Sequence, residues 1–171
     1  MMTMMIKFLL LTLLVISPIC AEKDLMIKEC NNAQVPTICM QCLESDPISV
    51  HADRVGIAEI IIHCLDSRLH IITNNITNLL SRERKREVKT VLKACENELS
   101  TVGSHTLSEA ETALTTGDYD KTAKSIKIAL GIPHGCRYEL QRIKFESFEL
   151  YSQINIYTQL SDAAMRIIDR F

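Results

Sequence analysis

Apolar residues recur along this chain every three or four positions, the spacing of a helix face and not of a strand. Val55, Ala58, Ile61, Leu65, Leu69, Ile72, Ile76 and Leu79 form one such stripe, which predicts a long helix over roughly 50–80. "SRERKRE" (81–87) connects it to a second stripe of Val88, Leu92, Cys95, Leu99 and Val102. A weak point is expected at "VGSHTLSE", where Gly103 loosens the helix and Thr106 with Glu109 has capping-box spacing. Helicity then resumes through Ala110, Ala113 and Leu114 and ends at Gly117. A shorter helix follows from Asp118, with Tyr119, Ala123, Ile126 and Leu130 inward, and "GIPHG" (131–135) is expected to break it. Phe148, Tyr151, Ile154, Tyr157, Leu160, Ala164 and Ile168 line the last helix. Four amphipathic helices on short connections favour antiparallel neighbours. The predicted fold is therefore all-α: an antiparallel up-down four-helix bundle over 49–171, preceded by a small helical hairpin over 22–48.

The N-terminus changes what the cysteines mean. Lys7, an apolar run from Phe8 to Ile16, Pro18 and small residues up to Ala21 have the layout of a secretory signal over 1–21, and the run is too short to span a membrane. Removing it takes Cys20 away and leaves Cys30, Cys39, Cys42, Cys64, Cys95 and Cys136, an even set that reads as a disulfide framework in an oxidising compartment. Cys95 lies 22 residues before Gly117 and Cys136 lies 19 after it. Those are helical lengths of ~33 Å and ~28 Å, so an antiparallel pair brings the two cysteines to similar depth. A Cys95–Cys136 bond is expected, with the "GIPHG" loop absorbing the mismatch. A Cys30–Cys39 bond would clamp the reversal at "NNAQVP", whose flanking helices have little apolar surface of their own.

Composition narrows the function classes. Of 171 residues 47% are hydrophobic, with 5 Gly and 4 Pro, which excludes disorder, and a formal charge of −2 gives no reason to expect nucleic acid. Loss of Lys7 with the leader leaves 18 basic residues (19 less one) against 21 acidic.

The cysteine frame and its surroundings then resemble a known family. Cys30 and Cys39 with Pro36 between them, "LESDP" following, then "VLKACENEL" and "TGDYDKTAKSIKIALGIPHGC" at these separations are similar to the plant invertase and pectin methylesterase inhibitors. The resemblance runs from about Asp24 to Phe171 and implies a helical hairpin on a four-helix bundle, with disulfides Cys30–Cys39 and Cys95–Cys136. It also implies a secreted, apoplastic protein without a cofactor that covers the cleft of a cell-wall carbohydrate enzyme in a one-to-one complex. Invertase-blocking members tend to carry Pro-Lys-Phe after the Gly-Asp of the second hairpin. Here Gly117 and Asp118 are followed by Tyr119, Asp120 and Lys121, which tilts the expected target towards pectin methylesterase, with invertase as the alternative. Cys42 and Cys64 are additional to the pattern; they either form a third bond or sit as small buried hydrophobes.

Other constellations are weaker. Cys39-x2-Cys42 lacks the further ligands of a zinc site, which His51, His63 and His70 do not supply by spacing, and lacks the βαβ context of a redox site. No metal is expected. "RERKRE" interleaves its charges as a solvated face does. Asn75-Ile76-Thr77 is a glycosylation sequon. Without a phosphate loop, nucleophile elbow or paired acids, the chain is not expected to be an enzyme. The partner-binding candidates are Asp118, Tyr119, Asp120 and Lys121, where Tyr119 is either an interface anchor or a core residue of its helix. His105 and His134 are candidates for making binding respond to pH. The competing reading from another class is a secreted helical signalling or structural protein that blocks no enzyme.

Overall fold

The computed structural model describes residues 23–171; the leader and its cleavage site lie outside the described residues. Helix α1 is described over 23–30 and reverses through a turn into α2 (Pro36–Glu44), where Pro36 at the first position costs the helix no needed N–H donor. A 3₁₀ turn (Ser49–His51) leads to α3 (Arg54–Arg82), whose first turn is capped by the Asp53 carboxylate accepting from the Gly56 N–H at 2.8 Å. Helices α4 (Arg86–Glu98) and α5 (Ser104–Thr115) follow, then α6 (Tyr119–Arg142) and α7 (Phe148–Ile168). Helix α3 packs on α4, α5 and α7, and α6 packs on α4, α5 and α7, so the long helices form a ring in sequence order closed by α3 against α7. That is an up-down bundle, and α2 lies across α3 and α7. No strand occurs among the described residues, and none of their helices is long and apolar enough to cross a membrane.

Two expected breaks are not breaks. The first, at Gly103, is a π-helical turn (Leu99–Gly103) that joins α4 to α5 without interruption. The turn shifts the inward stripe, so Val102 is exposed while Gly103, Thr106 and Leu107 face in. A Cβ on Gly103 would stand 2.8 Å from Leu69 Cδ2, so glycine is what lets this rod approach α3 closely. Thr106 is no cap: its hydroxyl donates to the Val102 carbonyl within the helix. The second, "GIPHG", lies inside α6, with Pro133 buried in the helix. Thr122, Ser125, Ile126, Ala129, Pro133, Cys136 and Leu140 form one unbroken buried stripe through it. Packing on both flanks outweighs the one hydrogen bond that proline forfeits. At the far end Phe148, expected inward, is 90% exposed, and the buried face of α7 begins at Leu150.

Three disulfides staple this frame. Cys95–Cys136 joins α4 to α6 with Cα atoms 5.3 Å apart, and Cys30–Cys39 closes the hairpin. Cys42–Cys64 fastens α2 to α3. The 41-residue loop closed by Cys95 and Cys136 is, by chain entropy, a stabilisation of about 4 kcal/mol. With no loop at "GIPHG", part of the extra length on the Cys95 side is taken up in the π turn, which fits more residues into each turn.

Among the described residues Tyr157, on α7, is the one aromatic side chain fully buried in the core, and its hydroxyl has no hydrogen-bond partner among them. Burial pushes this hydroxyl well above the ordinary tyrosine range, and the nearby charge of Asp66 adds to the effect. The folded chain therefore holds the proton more tightly than the unfolded chain. The associated stability is intact below about pH 10, where a free tyrosine titrates, and is lost as pH rises beyond it. Urea melts of Tyr157→Phe are expected to differ from the parent by no more than about 1 kcal/mol at pH 7, since no hydrogen bond is removed. Between pH 9 and 11 the variant should lose distinctly less stability than the parent; equal losses would show that Tyr157 does not govern the alkaline limb.

Candidate functional site

The turn between α5 and α6 is built by its own residues. Gly117 takes φ +76°, the left-handed conformation that closes a helix, while its N–H reaches the Leu114 carbonyl and the Asp118 N–H reaches that of Ala113. The Asp118 carboxylate then accepts from the Lys121 N–H at 3.1 Å and caps α6. Asp118 thus has a structural task, and Lys121 supports it through its backbone. Asp120 is exposed in the first turn of α6, where a carboxylate suits the positive end of the helix.

Of its two readings, the structure shows Tyr119 in contact with the core without being buried in it. Half-buried, it packs on the core from one side and stacks on Phe171 with ring centroids 4.4 Å apart and planes 13° from parallel. The two rings form the floor of a hollow of about 390 Å³, with Asp118, Asp120 and Asp169 around it. An aromatic floor with three carboxylates suits a cationic or aromatic side chain of another protein. Asp169 and Phe171 carry no local signal in the sequence. They are found only by noting that α6 begins where the antiparallel α7 ends, so the chain's last residues return to the Gly117 turn.

Beside the hollow lies a buried ionic cluster that sequence reading also missed. The side chain of Glu29, on α1, is fully buried. One carboxylate oxygen accepts from Arg54 Nε at 3.0 Å and the other from Arg170 Nη2. Arg54 also donates to the Arg170 carbonyl at 3.2 Å and lies 6.0 Å from the centre of the Phe171 ring. The first helix, the start of α3 and the C-terminal residues meet on this one carboxylate.

The remaining candidates lie elsewhere. His105 stands on α5 about 18 Å of helix before Gly117, paired with Glu109 at 3.9 Å. His134 stands about 22 Å beyond Tyr119 and shares a 2.9 Å hydrogen bond with Thr158. Neither borders the α5–α6 turn. Asn75 is half-buried within α3, and its Nδ2 donates to Gln153 of α7 at 3.0 Å; a glycan would take one of the two hydrogens on that nitrogen. Cys39 and Cys42 belong to different disulfides. In the basic run, Glu83 accepts from the Arg84 and Lys85 N–H groups, which hold its carboxyl below the usual range.

Comparison with known proteins agrees with this architecture. A pectinesterase inhibitor from Actinidia deliciosa is 29% identical over 168 residues, covering 94% of this chain and 84% of that protein. Two solved structures share the fold. A mutant form of a pectin methylesterase inhibitor from Arabidopsis superposes with a TM-score of 0.69 at 16% identity, over 82% of this chain and 92% of the other. A pectin methylesterase inhibitor from Arabidopsis thaliana superposes with a TM-score of 0.63 at 17% identity, over 84% and 93%. No family model matches the sequence. The chain is thus similar in sequence to a pectinesterase inhibitor and in fold to two pectin methylesterase inhibitors.

The ionic cluster yields a direct test. Glu29→Gln leaves two arginines facing each other with one acceptor charge gone. Breaking the pair is expected to destabilise by about 3 kcal/mol, the low end for a buried ion pair because both arginines keep some exposure. Chemical denaturation at pH 7 measures it; a change below about 1 kcal/mol, the range of exposed pairs, would show that the cluster does not hold this end together.

Proposed function

We propose that this chain is a secreted inhibitor of pectin methylesterase that acts by covering the enzyme's substrate cleft in a one-to-one complex, with the α5–α6 turn as its contact surface. In this reading residues 1–21 are the leader that delivers it to the apoplast, and contact with the enzyme itself uses no cofactor or metal. The observation that carries the target is the 29% identity, over 94% of the chain, to a pectinesterase inhibitor. The geometry of the turn supports the mode. Gly117 and the Asp118 cap fix its backbone, so little order has to be gained on docking. Tyr119, backed by Phe171, offers the rigid aromatic area that dominates many interfaces. Asp120 and Lys121 lie at the rim, where charges govern on-rate and specificity more than affinity. Tyr119, Asp120 and Lys121 stand where invertase-blocking relatives tend to have Pro-Lys-Phe, which favours pectin methylesterase over invertase.

The mature, disulfide-intact protein added to a pectin methylesterase is expected to abolish activity at a one-to-one ratio and to leave an acid invertase active. Tyr119→Ala should weaken inhibition by about 30-fold, the effect of losing an interface anchor. Asp120→Lys should mainly slow association and alter its salt dependence. Loss of invertase activity instead would move the target. Two fully active enzymes would favour the signalling or structural reading, and full inhibition with an unaffected Tyr119→Ala variant would place the contact surface elsewhere.

A further inference from the structure

The exposed face between α3 and α5 carries an arrangement that neither the inhibitor reading nor the disulfide frame uses. Glu59 and His63 are one turn apart on α3, and Glu111 faces them from α5. His63 Nε2 lies 3.1 Å from Glu111 Oε1, and one ligand atom from each of the three residues falls within 4.8 Å of the others. Next to the imidazole is a small cavity of about 140 Å³ whose polar lining is His63, Asp66, Ser104, Ser108 and Glu111, with no lysine or arginine among the residues that line it.

We propose that Glu59, His63 and Glu111 form a binding site for a first-row transition-metal dication, with zinc the best fit, and that the bound ion pins α3 to α5. One imidazole nitrogen and two carboxylates suit zinc, whereas calcium and magnesium prefer all-oxygen shells. Ligand atoms around tetrahedral zinc lie about 3.3 Å apart, given bonds of roughly 2.0–2.1 Å. The His63–Glu111 pair is already near that separation, and a carboxylate oxygen of Glu59, half-exposed and one helical turn away, lies within 4.8 Å of both ligand atoms. The cavity leaves room for water in the remaining coordination positions. Two carboxylates with no lining cation make the site electrostatically receptive to a dication. A spacing search misses the site because its third ligand is 48 residues from His63 in sequence and reaches it only through helix packing.

Isothermal titration of the disulfide-intact chain with zinc chloride in a weakly coordinating buffer tests the proposal, with magnesium and calcium titrated in parallel. One zinc per chain is expected, bound more tightly than either hard cation. His63→Ala and Glu111→Gln should each weaken zinc at least about 10-fold, while circular dichroism stays at the parent's value because both side chains are surface groups. His70→Ala serves as the control, since His70 pairs with Asp66 on α3 at 3.4 Å and takes no part in the cluster; its zinc affinity should equal the parent's. No zinc binding, zinc binding unchanged in both His63→Ala and Glu111→Gln, or a loss in His70→Ala as large as in His63→Ala would each overturn the assignment. So would calcium or magnesium binding as tightly as zinc, which marks a diffuse acidic surface.

Discussion

A single buried carboxylate organises one end of this molecule. Glu29 has no exposed side-chain surface, and a lone charge in that position would be very unfavourable. It is tolerated because Arg54 and Arg170 arrive from the start of α3 and the end of the chain. Each element satisfies a requirement of another: α1 supplies the anion, α3 and the C-terminal residues supply the cations, and Arg54 also bonds the Arg170 carbonyl. Apolar packing alone would leave the hairpin less securely placed, since Met26 and Leu43 are its only large, fully buried aliphatic side chains. The Cys42–Cys64 bond and the hydrogen bond from the Gln34 N–H to Asp162 of α7 complete its attachment.

The bundle itself was largely legible in the sequence, for a physical reason. A helix that must bury one face repeats its apolar residues at helical spacing, and α3 and α7 do so along most of their length. Errors arose where a local signal competed with packing. Gly103 and "GIPHG" are loosening signals taken alone, yet α3 presses on the first, and in the second Pro133 is buried while His134 bonds Thr158 of α7. The continuing stripe of Ile126, Ala129, Pro133, Cys136 and Leu140 was present in the sequence and outweighs the proline. A π turn leaves no compositional trace, so the inward shift from Val102 to Gly103 could not be read.

The candidate site was legible only in part, and the division follows sequence distance. The Gly117–Asp118 turn announces itself, because a left-handed residue and a helix cap are local devices. The Phe171 ring stacked on Tyr119, the arginines around Glu29 and the Glu111 partner of His63 all come from distant stretches of chain. Such pairings depend on helix register, and small shifts in where a helix starts or turns are enough to separate them.

Register also bears on how a rigid turn could serve as an inhibitory surface. A flexible loop presenting the same aromatic would lose part of its binding energy to ordering. Here the Tyr119 ring is held before any partner arrives, by the cap below it, the core behind it and the Phe171 ring beside it. Phe171 directly follows Arg170, whose guanidinium is tied to Glu29. The floor of the hollow is therefore tied to the adjacent ion pair, whose Arg54 lies 6.0 Å from the centre of the same ring. Fold stability and the geometry of the proposed contact surface meet in the same short segment of chain. A change at Glu29 should then reach the Tyr119 surface without touching it, through the position of Phe171.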